Sequence, residues 1–267
     1  MPVSRANGLD IYYEKVGSGP PLVLIHALPF DHHLWLYQVE RFSAHFTTIA
    51  MDLRGLGSSA KPRTPFSLGD MGDDILGILE DEDVRTDAVV LGCSIGAKLA
   101  LMLACDRPDR FKAAILVGGN SGPQVQFDHR IAAYRKHQDK GTLKEYHLGH
   151  LRHGVTRAWA DTPTARYLIE GFLERGAALD AESLAQVFGA LTVSDLTGRL
   201  PAYKSPTLVV NGEFDNALKG GTRTASLIAH SEHKIITGTG HCCFLEDPAT
   251  FEKLVRDFLR RNRLWPG

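Results

Sequence analysis

The stretch of residues 89–100 constrains this chain more than any other. It begins as an apolar run, turns at the sequence Gly-Cys-Ser-Ile-Gly and continues with residues that favour a helix. This pattern predicts a buried strand, a tight turn and a helix, because the two glycines leave room for backbone on either side of Ser94. Such a turn lifts the Ser94 hydroxyl out of the sheet and points the Ile95 N–H at whatever that hydroxyl binds. Glycine patterns of this length also occur by chance, so the flanking strand and helix are what favour a nucleophile.

Short apolar strands alternate with helices along most of the chain. A hairpin is predicted over residues 3–15, and an amphipathic helix over residues 248–261. Strands that are apolar along their whole length and separated by helices are typical of a parallel sheet covered on both faces. We therefore predict an α/β fold with a mostly parallel central sheet. Besides the strand that leads into Ser94, the predicted strands are residues 22–25, 47–52, 113–117, 207–210 and 234–237, and the predicted helices between them include 34–44 and 67–80.

The strand pattern stops between residues 121 and 200, where helical patterns continue. We interpret residues 121–200 as a helical insertion, or cap, in a core formed by residues 1–120 and 201–267. A cap of this kind covers a pocket, excludes bulk water and selects the substrate. Four aromatic residues predict an apolar inner surface for it: Trp159, Tyr167, Phe172 and Phe188.

A serine nucleophile requires a base, and that base requires an orienting acid. In a parallel sheet, functional groups gather at the carboxyl ends of the strands. Asp215 and His241 each follow a predicted strand, so both are expected at the edge where Ser94 projects. We predict that these three residues form a catalytic triad. Glu213 and Asp128 are weaker candidates for the acid.

The same chemistry needs N–H donors for a developing oxyanion, each worth about 3 kcal/mol. The Ile95 N–H is the first predicted donor because it follows the serine at the start of the helix. The second donor is expected in the loop of residues 26–30, which follows an apolar strand. Within that loop we predict the Leu28 N–H.

Five ordered motifs resemble those of the α/β-hydrolase superfamily, in its single-chain esterase, lactonase and C–C hydrolase branch with a helical cap. The motifs are His26 with its loop, residues 52–57, 92–96 and 206–215, and residues 240–241 followed by 245–248. The resemblance covers nearly the whole chain outside the predicted cap. It implies an α/β-hydrolase fold with Ser94, Asp215 and His241 as the triad. Ala27 stands where the family usually has glycine, and this departure bears on the Leu28 assignment.

The expected activity is hydrolysis of a small carboxylic ester or lactone through an acyl-enzyme on Ser94. Residues 30–35 resemble the corresponding part of enol-lactonases and small-ester hydrolases, which favours this substrate class. Three alternatives remain open on the same fold: a C–C bond hydrolase of a meta-cleavage-type diketone, a small-molecule receptor with low turnover, and a lyase. Turnover rate separates a receptor from an enzyme, and a stoichiometric serine label separates an acyl-enzyme from a lyase.

The composition argues against several kinds of partner. A formal net charge of −1 over 267 residues gives no electrostatic reason to expect nucleic acid or an anionic membrane. No stretch has the roughly eighteen apolar residues of a membrane span, and the first residues lack a signal-peptide pattern. The four cysteines show no disulfide or metal-ligand spacing, so a cytoplasmic protein with free thiols is expected.

No cofactor and no metal are expected, since the glycine-rich segments lack the pattern of a nucleotide site. His147, His150 and His153 recur at three-residue steps, and we interpret them as a polar helix face rather than a metal site. Asp52 and Arg54 are expected to fix their turn by a salt bridge rather than to contact the substrate.

Overall fold

The computed structural model of the chain describes residues 2–5, 7–123, 127–175 and 179–266. In these residues, eight strands form one sheet in the order β1-β2-β4-β3-β5-β6-β7-β8. Strands β1 and β2 pair antiparallel, as do β2 and β4, and the remaining neighbours are parallel. The predicted mostly parallel sheet is thereby confirmed. The strands are β1 (Val3–Ser4), β2 (Ile11–Val16), β3 (Pro21–Ile25), β4 (Thr47–Met51), β5 (Ala88–Cys93), β6 (Phe111–Val117), β7 (Thr207–Gly212) and β8 (Ser231–Ile236).

Helices cover both faces of this sheet. Alternate residues of one strand enter different cores: Val23 of β3 packs in one hydrophobic cluster and Leu24 in the other. This period of two explains why the central strands are apolar throughout. The helices of the core are α1 (Leu36–Phe42), α2 (Leu68–Asp81), α3 (Ile95–Asp106), α9 (Leu218–Leu227), α10 (Cys243–Glu246) and α11 (Pro248–Arg261).

Helix boundaries follow local capping. Helix α2 begins with a reciprocal capping box in which Ser67 and Asp70 each bond the other's backbone N–H. The helix predicted over 34–44 is instead a 3-10 turn (His32–Trp35) followed by α1. The chain turns early because the Asp31 carboxylate accepts a hydrogen bond from the His33 N–H, at 3.0 Å.

Asp52 and Arg54 fix the turn after β4, but not by pairing with each other. Asp52 Oδ1 accepts hydrogen bonds from the backbone N–H and ring Nδ1 of His32, at 2.8 and 2.7 Å. Its Oδ2 accepts from the Ser58 N–H at 2.7 Å, while Arg54 Nη2 donates to Asp74 Oδ1 of α2 at 2.6 Å. The predicted salt bridge is wrong because backbone and ring donors on two loops already occupy both Asp52 oxygens.

Between β6 and β7 the described residues of 121–200 form helices and no strand. We call this part of the chain the 121–200 segment, and its division from the core as a separate cap stays a prediction. None of the helices in the described ranges of the chain is both long and apolar enough to cross a bilayer. The helices of the segment are α4 (Asp128–Asp139), α5 (Leu143–His153), α6 (Arg157–Ala160), α7 (Pro163–Arg175) and α8 (Ala181–Thr192).

A buried lysine joins the two ends of the 121–200 segment. Lys98 of α3 is 1% exposed, and its Nζ donates to Gly122 O and to Ser194 O, each at 2.7 Å. Beside it, the Leu196 N–H donates to Ser121 O at 2.9 Å. Burial lowers the pKa of Lys98 to about 8. The helix that follows Ser94 therefore also anchors the points where the chain enters and leaves the segment.

We expect Lys98→Met to lower the free energy of unfolding by about 2 kcal/mol, because two carbonyls lose their shared donor. It should also speed proteolysis within residues 121–200. Urea unfolding and limited proteolysis measure the two effects. Lys253→Met is the control, since the Lys253 side chain is 67% exposed and bonds its neighbour Asp257 on α11. Equal unfolding midpoints for the two variants would contradict the anchoring role.

Candidate active site

The turn between β5 and α3 holds Ser94 in a conformation that serine rarely adopts, with φ +56° and ψ −111°. The Ser94 N–H donates to Val117 O of β6 at 2.8 Å. A side chain at residue 92 would collide with Gly96 O, and one at residue 96 would collide with the carbonyls of residues 25 and 26. Both glycines are therefore required by backbone that passes against backbone, as the sequence pattern indicates.

Two further predicted site residues meet at the carboxyl ends of β7 and β8. His241 Nδ1 lies 2.7 Å from Asp215 Oδ1, and the His241 side chain is 19% exposed. The Asp215 carboxylate is fully buried. It also accepts hydrogen bonds from the Ala217 N–H at 2.8 Å and from Asn211 Nδ2 at 2.7 Å. Three donors thus hold the carboxylate, which in turn orients the imidazole.

These contacts shift the pKa of both groups in opposite directions. Burial raises the pKa of Asp215, but the hydrogen bond and charge of His241 and the two other donors outweigh it, so the pKa is lowered. Burial lowers the pKa of His241, but the Asp215 hydrogen bond and charge outweigh it, so the pKa is raised. The Arg130 charge acts against Asp215 on this imidazole. Asp215 is therefore an anion that stabilises positive charge on His241.

A second layer behind Asp215 was missed by the sequence reasoning. His233 of β8 lies with Nε2 2.9 Å from Asn211 Oδ1. Since Asn211 donates its amide N–H to Asp215, its oxygen is free to accept from His233. Asn211 lies on β7 and His233 on the neighbouring β8. Alternate residues of a strand point to the same face of the sheet, and this period of two is the signal that could have identified both.

Ser94 and His241 line one cavity of about 430 Å³. The core contributes Leu28 and Asn216 to its wall. Side chains of the 121–200 segment form the facing wall, among them Phe127, Arg130, His150, His153, Phe188 and Leu191. The predicted nucleophile, base and oxyanion loop thus line one cavity together with residues of the predicted cap.

The aromatic residues expected on the inner surface of the segment have different locations. Phe188 lines the cavity, whereas Tyr167 is 77% exposed. Trp159 and Phe172 pack in a hydrophobic cluster with the core. Helix α7 presents Tyr167 to solvent because Phe172 occupies the opposite, buried side.

The loop of Leu28 is held by a buried histidine. The Leu53 N–H donates to His26 Nε2 at 2.9 Å, so the ring proton is on Nδ1, which donates to Ala27 O at 2.9 Å. Burial lowers the pKa of His26, which keeps this neutral form. The Phe30 N–H also donates to Ala27 O, at 2.9 Å. Ala27 therefore carries the carbonyl that closes the turn, and its methyl group is buried in the core.

The two predicted oxyanion donors lie on different elements, one at the start of α3 and one in the loop after β3. Ile95 is the first residue of α3, so its N–H has no partner within the helix. Leu28 lies on the cavity wall with Ser94. Their role as an oxyanion hole stays a prediction.

The alternative acids have other locations. Glu213 is exposed, and its Oε2 accepts a hydrogen bond from the Gly238 N–H at 2.9 Å. Asp128 is exposed at the start of α4. Asp215 is the candidate that contacts His241.

The three histidines of α5 do not share one polar face. His147 is 2% exposed, neither ring nitrogen has a hydrogen-bond partner within the described ranges, and burial lowers its pKa to about 4. His150 and His153 line the cavity, and each donates Nδ1–H to the carbonyl four residues earlier. The predicted polar face is wrong for His147 because a three-residue step drifts around the helix.

Among the described residues, Asp31, His32 and His33 form a group of potential metal ligands whose atoms lie within 4.8 Å. Hydrogen bonds within the protein already occupy atoms of these side chains. His32 Nδ1 bonds Asp52, and Asp31 Oδ1 accepts from the N–H of His33.

Comparison with known proteins identifies the class of this chain. A family model described as the α/β-hydrolase fold matches residues 20–248. The chain therefore belongs to the α/β-hydrolase family, and it is an enzyme of that family.

Among its relatives, the chain is 26% identical to the non-heme chloroperoxidase CPO-A1 of Kitasatospora aureofaciens, over 97% of this chain and 98% of that protein. It is 24% identical to 3-oxoadipate enol-lactonase 2 of Acinetobacter baylyi, over 96% and 95%. The crystal structure of the enol-lactonase from Burkholderia xenovorans LB400 matches with a TM-score of 0.88 and 24% identity, over 97% of this chain and 100% of that one. The last likeness confirms the fold.

Gly118 offers a test of the Asp215–His241 contact. Its φ is +57°, and a Cβ there would lie 2.5 Å from His241 Cε1 and 2.7 Å from His241 Nδ1. We expect Gly118→Ala to displace the imidazole from Asp215, so that the pKa of His241 falls. NMR titration of the ring resonances, assigned with His241→Gln, measures this change.

Gly238→Ala is the matched control, because Gly238 has φ +75° and open space around its Cβ position. That variant carries the same backbone strain with no contact to the imidazole. An equal pKa of His241 in both variants would argue that the contact does not depend on the space at residue 118.

Proposed function

We propose that this enzyme is a serine hydrolase that cleaves a small carboxylic ester or lactone. The observation that carries the proposal is His241, held by Asp215 at 2.7 Å, which lines the same cavity as Ser94 at its strained turn. A hydroxyl becomes a nucleophile only beside a base, and an imidazole held by a buried carboxylate is such a base.

In the proposed reaction, Ser94 Oγ attacks the carbonyl carbon as His241 accepts its proton. Asp215 fixes the proton on His241 Nδ1, so that Nε2 is the basic nitrogen, and stabilises the imidazolium. The N–H groups of Ile95 and Leu28 stabilise the oxyanion. His241 then returns the proton to the leaving alcohol, and the acyl group remains on Ser94.

Deacylation repeats these steps with water as the nucleophile. His241 removes a proton from water, which attacks the acyl-enzyme, and the carboxylic acid leaves as Ser94 recovers its proton. We propose that the 121–200 segment acts as the lid of the cavity and excludes bulk water during both steps. The reaction needs no cofactor and no metal ion.

Two kinds of observation support an ester or lactone as the substrate. The similar proteins include one named as an enol-lactonase, at 24% identity, and the cavity of about 430 Å³ suits a small molecule. We further propose a cytoplasmic location, because all four cysteines are free thiols.

Initial rates on a panel of 4-nitrophenyl esters and lactones test the proposal. We expect turnover by the wild-type enzyme and a loss of at least about 10³-fold in Ser94→Ala. A fluorophosphonate should label the wild type once per chain and leave Ser94→Ala unlabelled. Turnover that persists in Ser94→Ala, or wild-type protein that binds the esters without turnover, would contradict a serine hydrolase.

The pH dependence of kcat/KM follows from the shifted pKa of His241. Only the neutral imidazole can accept a proton, and Asp215 raises its pKa above the ordinary value of about 6.5. With an uncharged ester we expect kcat/KM to fall about tenfold per pH unit below a midpoint that lies above 6.5. Asp215→Asn should shift this midpoint down, because the neutral amide no longer stabilises the imidazolium. If Asp215→Asn leaves the midpoint unchanged, the fall of kcat/KM at low pH reports the titration of a group other than His241.

A further inference from the structure

The wall that the 121–200 segment presents to the cavity carries one arginine and three histidines. Arg130 and His129 of α4 and His150 and His153 of α5 line it. Among the described residues that line the cavity, none is an aspartate or a glutamate. A substrate bound at Ser94 therefore shares the cavity with the positive charge of Arg130.

Arg130 is half-buried on the cavity wall without a carboxylate partner among the described residues. In the same segment Arg135 pairs with Glu182 at 2.5 Å and Arg175 with Asp31 at 3.3 Å. The arginines that likewise have no ion pair within the described ranges are solvent-exposed, namely Arg152, Arg157 and Arg166. Within the ranges that the structure describes, Arg130 forms no ion pair, and its guanidinium lies 5.9 Å from the centre of the Phe127 ring. A half-buried guanidinium without an anion is costly unless a ligand supplies one.

Apolar side chains line part of the remaining wall, beside the amides of Asn120 and Asn216. Phe30, Phe188 and Leu191 line the same cavity. A short hydrocarbon spacer fits this surface, with a carbonyl at Ser94 and an anion at Arg130. We propose that the substrate is an ester or lactone that carries a free carboxylate on its acyl part, and that Arg130 binds this carboxylate.

One fixed positive charge matches one carboxylate. Burial lowers the pKa of His150, and the charges of Arg130 and His153 lower it further, so this ring is neutral near pH 7. A guanidinium binds a carboxylate through two parallel N–H bonds, which a lysine cannot reproduce. The inference rests on the proposed hydrolase function, because it takes the substrate carbonyl to lie at Ser94.

Two substrates of matched shape test the inference. One is the mono-4-nitrophenyl ester of glutarate, which carries a carboxylate, and the other is 4-nitrophenyl 5-methylhexanoate, in which an isopropyl group replaces that carboxylate. For the wild type we expect a kcat/KM at least about tenfold higher with the glutarate ester. Arg130→Met should lower that ratio about tenfold or more, mainly through KM, and Arg130→Lys should restore it only in part.

Arg152→Met is the control for net charge, since Arg152 is exposed on α5 and lines a different groove, between α5 and α7. It should leave the ratio of the two substrates unchanged. A ratio near one in the wild type, or an equal ratio in the wild type and Arg130→Met, would overturn the carboxylate subsite while Ser94-dependent turnover of both esters still supports the hydrolase.

Glutarate itself gives a readout that does not depend on turnover. Calorimetry should show that it binds Ser94→Ala and that Arg130→Met in the same background weakens this binding about tenfold or more. Ser94→Ala protein that is folded and shows no Arg130-dependent binding of glutarate would also overturn the inference. If neither ester is turned over but glutarate binds through Arg130, the hydrolase proposal fails and the carboxylate subsite stands.

Discussion

The close passage of backbone against backbone at residues 92–96 is the constraint on which the rest of the site depends. Gly96 lies against the carbonyls at the end of β3, and Gly92 lies against Gly96. Any side chain at these positions would push α3 away from the sheet. With both glycines, the helix starts directly above the strand ends, and Ser94 takes up the strain of the turn with φ +56°. Ser94 lines the cavity because the backbone on both sides of it is packed against other backbone, which leaves this turn as the available path.

The parallel register of β7 and β8 then brings Asp215 and His241 together. Asn211 pairs with Ile235 across these strands, and His233 pairs with Val209. This register aligns a chain of hydrogen bonds from His233 through Asn211 and Asp215 to His241. Each member fixes the orientation of the next, so the imidazole is held without strain of its own. The charge of Asp215 is buried at low cost because its oxygens have three donors.

Much of the fold could be predicted from local patterns, because those patterns express the contacts that form it. The alternation of apolar strands and helices predicts the parallel sheet, and Ser67 predicts the start of α2, since both depend on residues close in sequence. The placement of Asp215 and His241 was also accessible, because strand ends in a parallel sheet share one edge. The contact between these two residues could therefore be predicted from their positions, and their catalytic role stays a prediction.

The features that the sequence did not reveal depend on residues far apart in the chain. Asp52 bonds a loop twenty residues earlier and Arg54 bonds α2, so a salt bridge between near neighbours was the wrong expectation. The burial of His147 depends on how α5 lies against the core, which its spacing does not specify. The sequence analysis singled out neither Lys98 nor Arg130. Their locations, at the ends of the 121–200 segment and on the cavity wall, depend on how that segment packs on the core.

Lys98 and the loop of His241 link the 121–200 segment to the site at two separate points. Lys98 bonds both ends of the segment from the helix that begins beside Ser94. On the other side, the Cys242 N–H donates to Gly154 O at 2.8 Å, and Glu246 accepts from the N–H groups of Thr156 and Gly240, at 2.9 and 2.7 Å. Movement of the segment as one piece would break bonds near both Ser94 and His241. If these bonds are preserved while the substrate enters, the helices between the two attachment points must move instead. Helix α4, which carries Arg130, lies between those points in the chain.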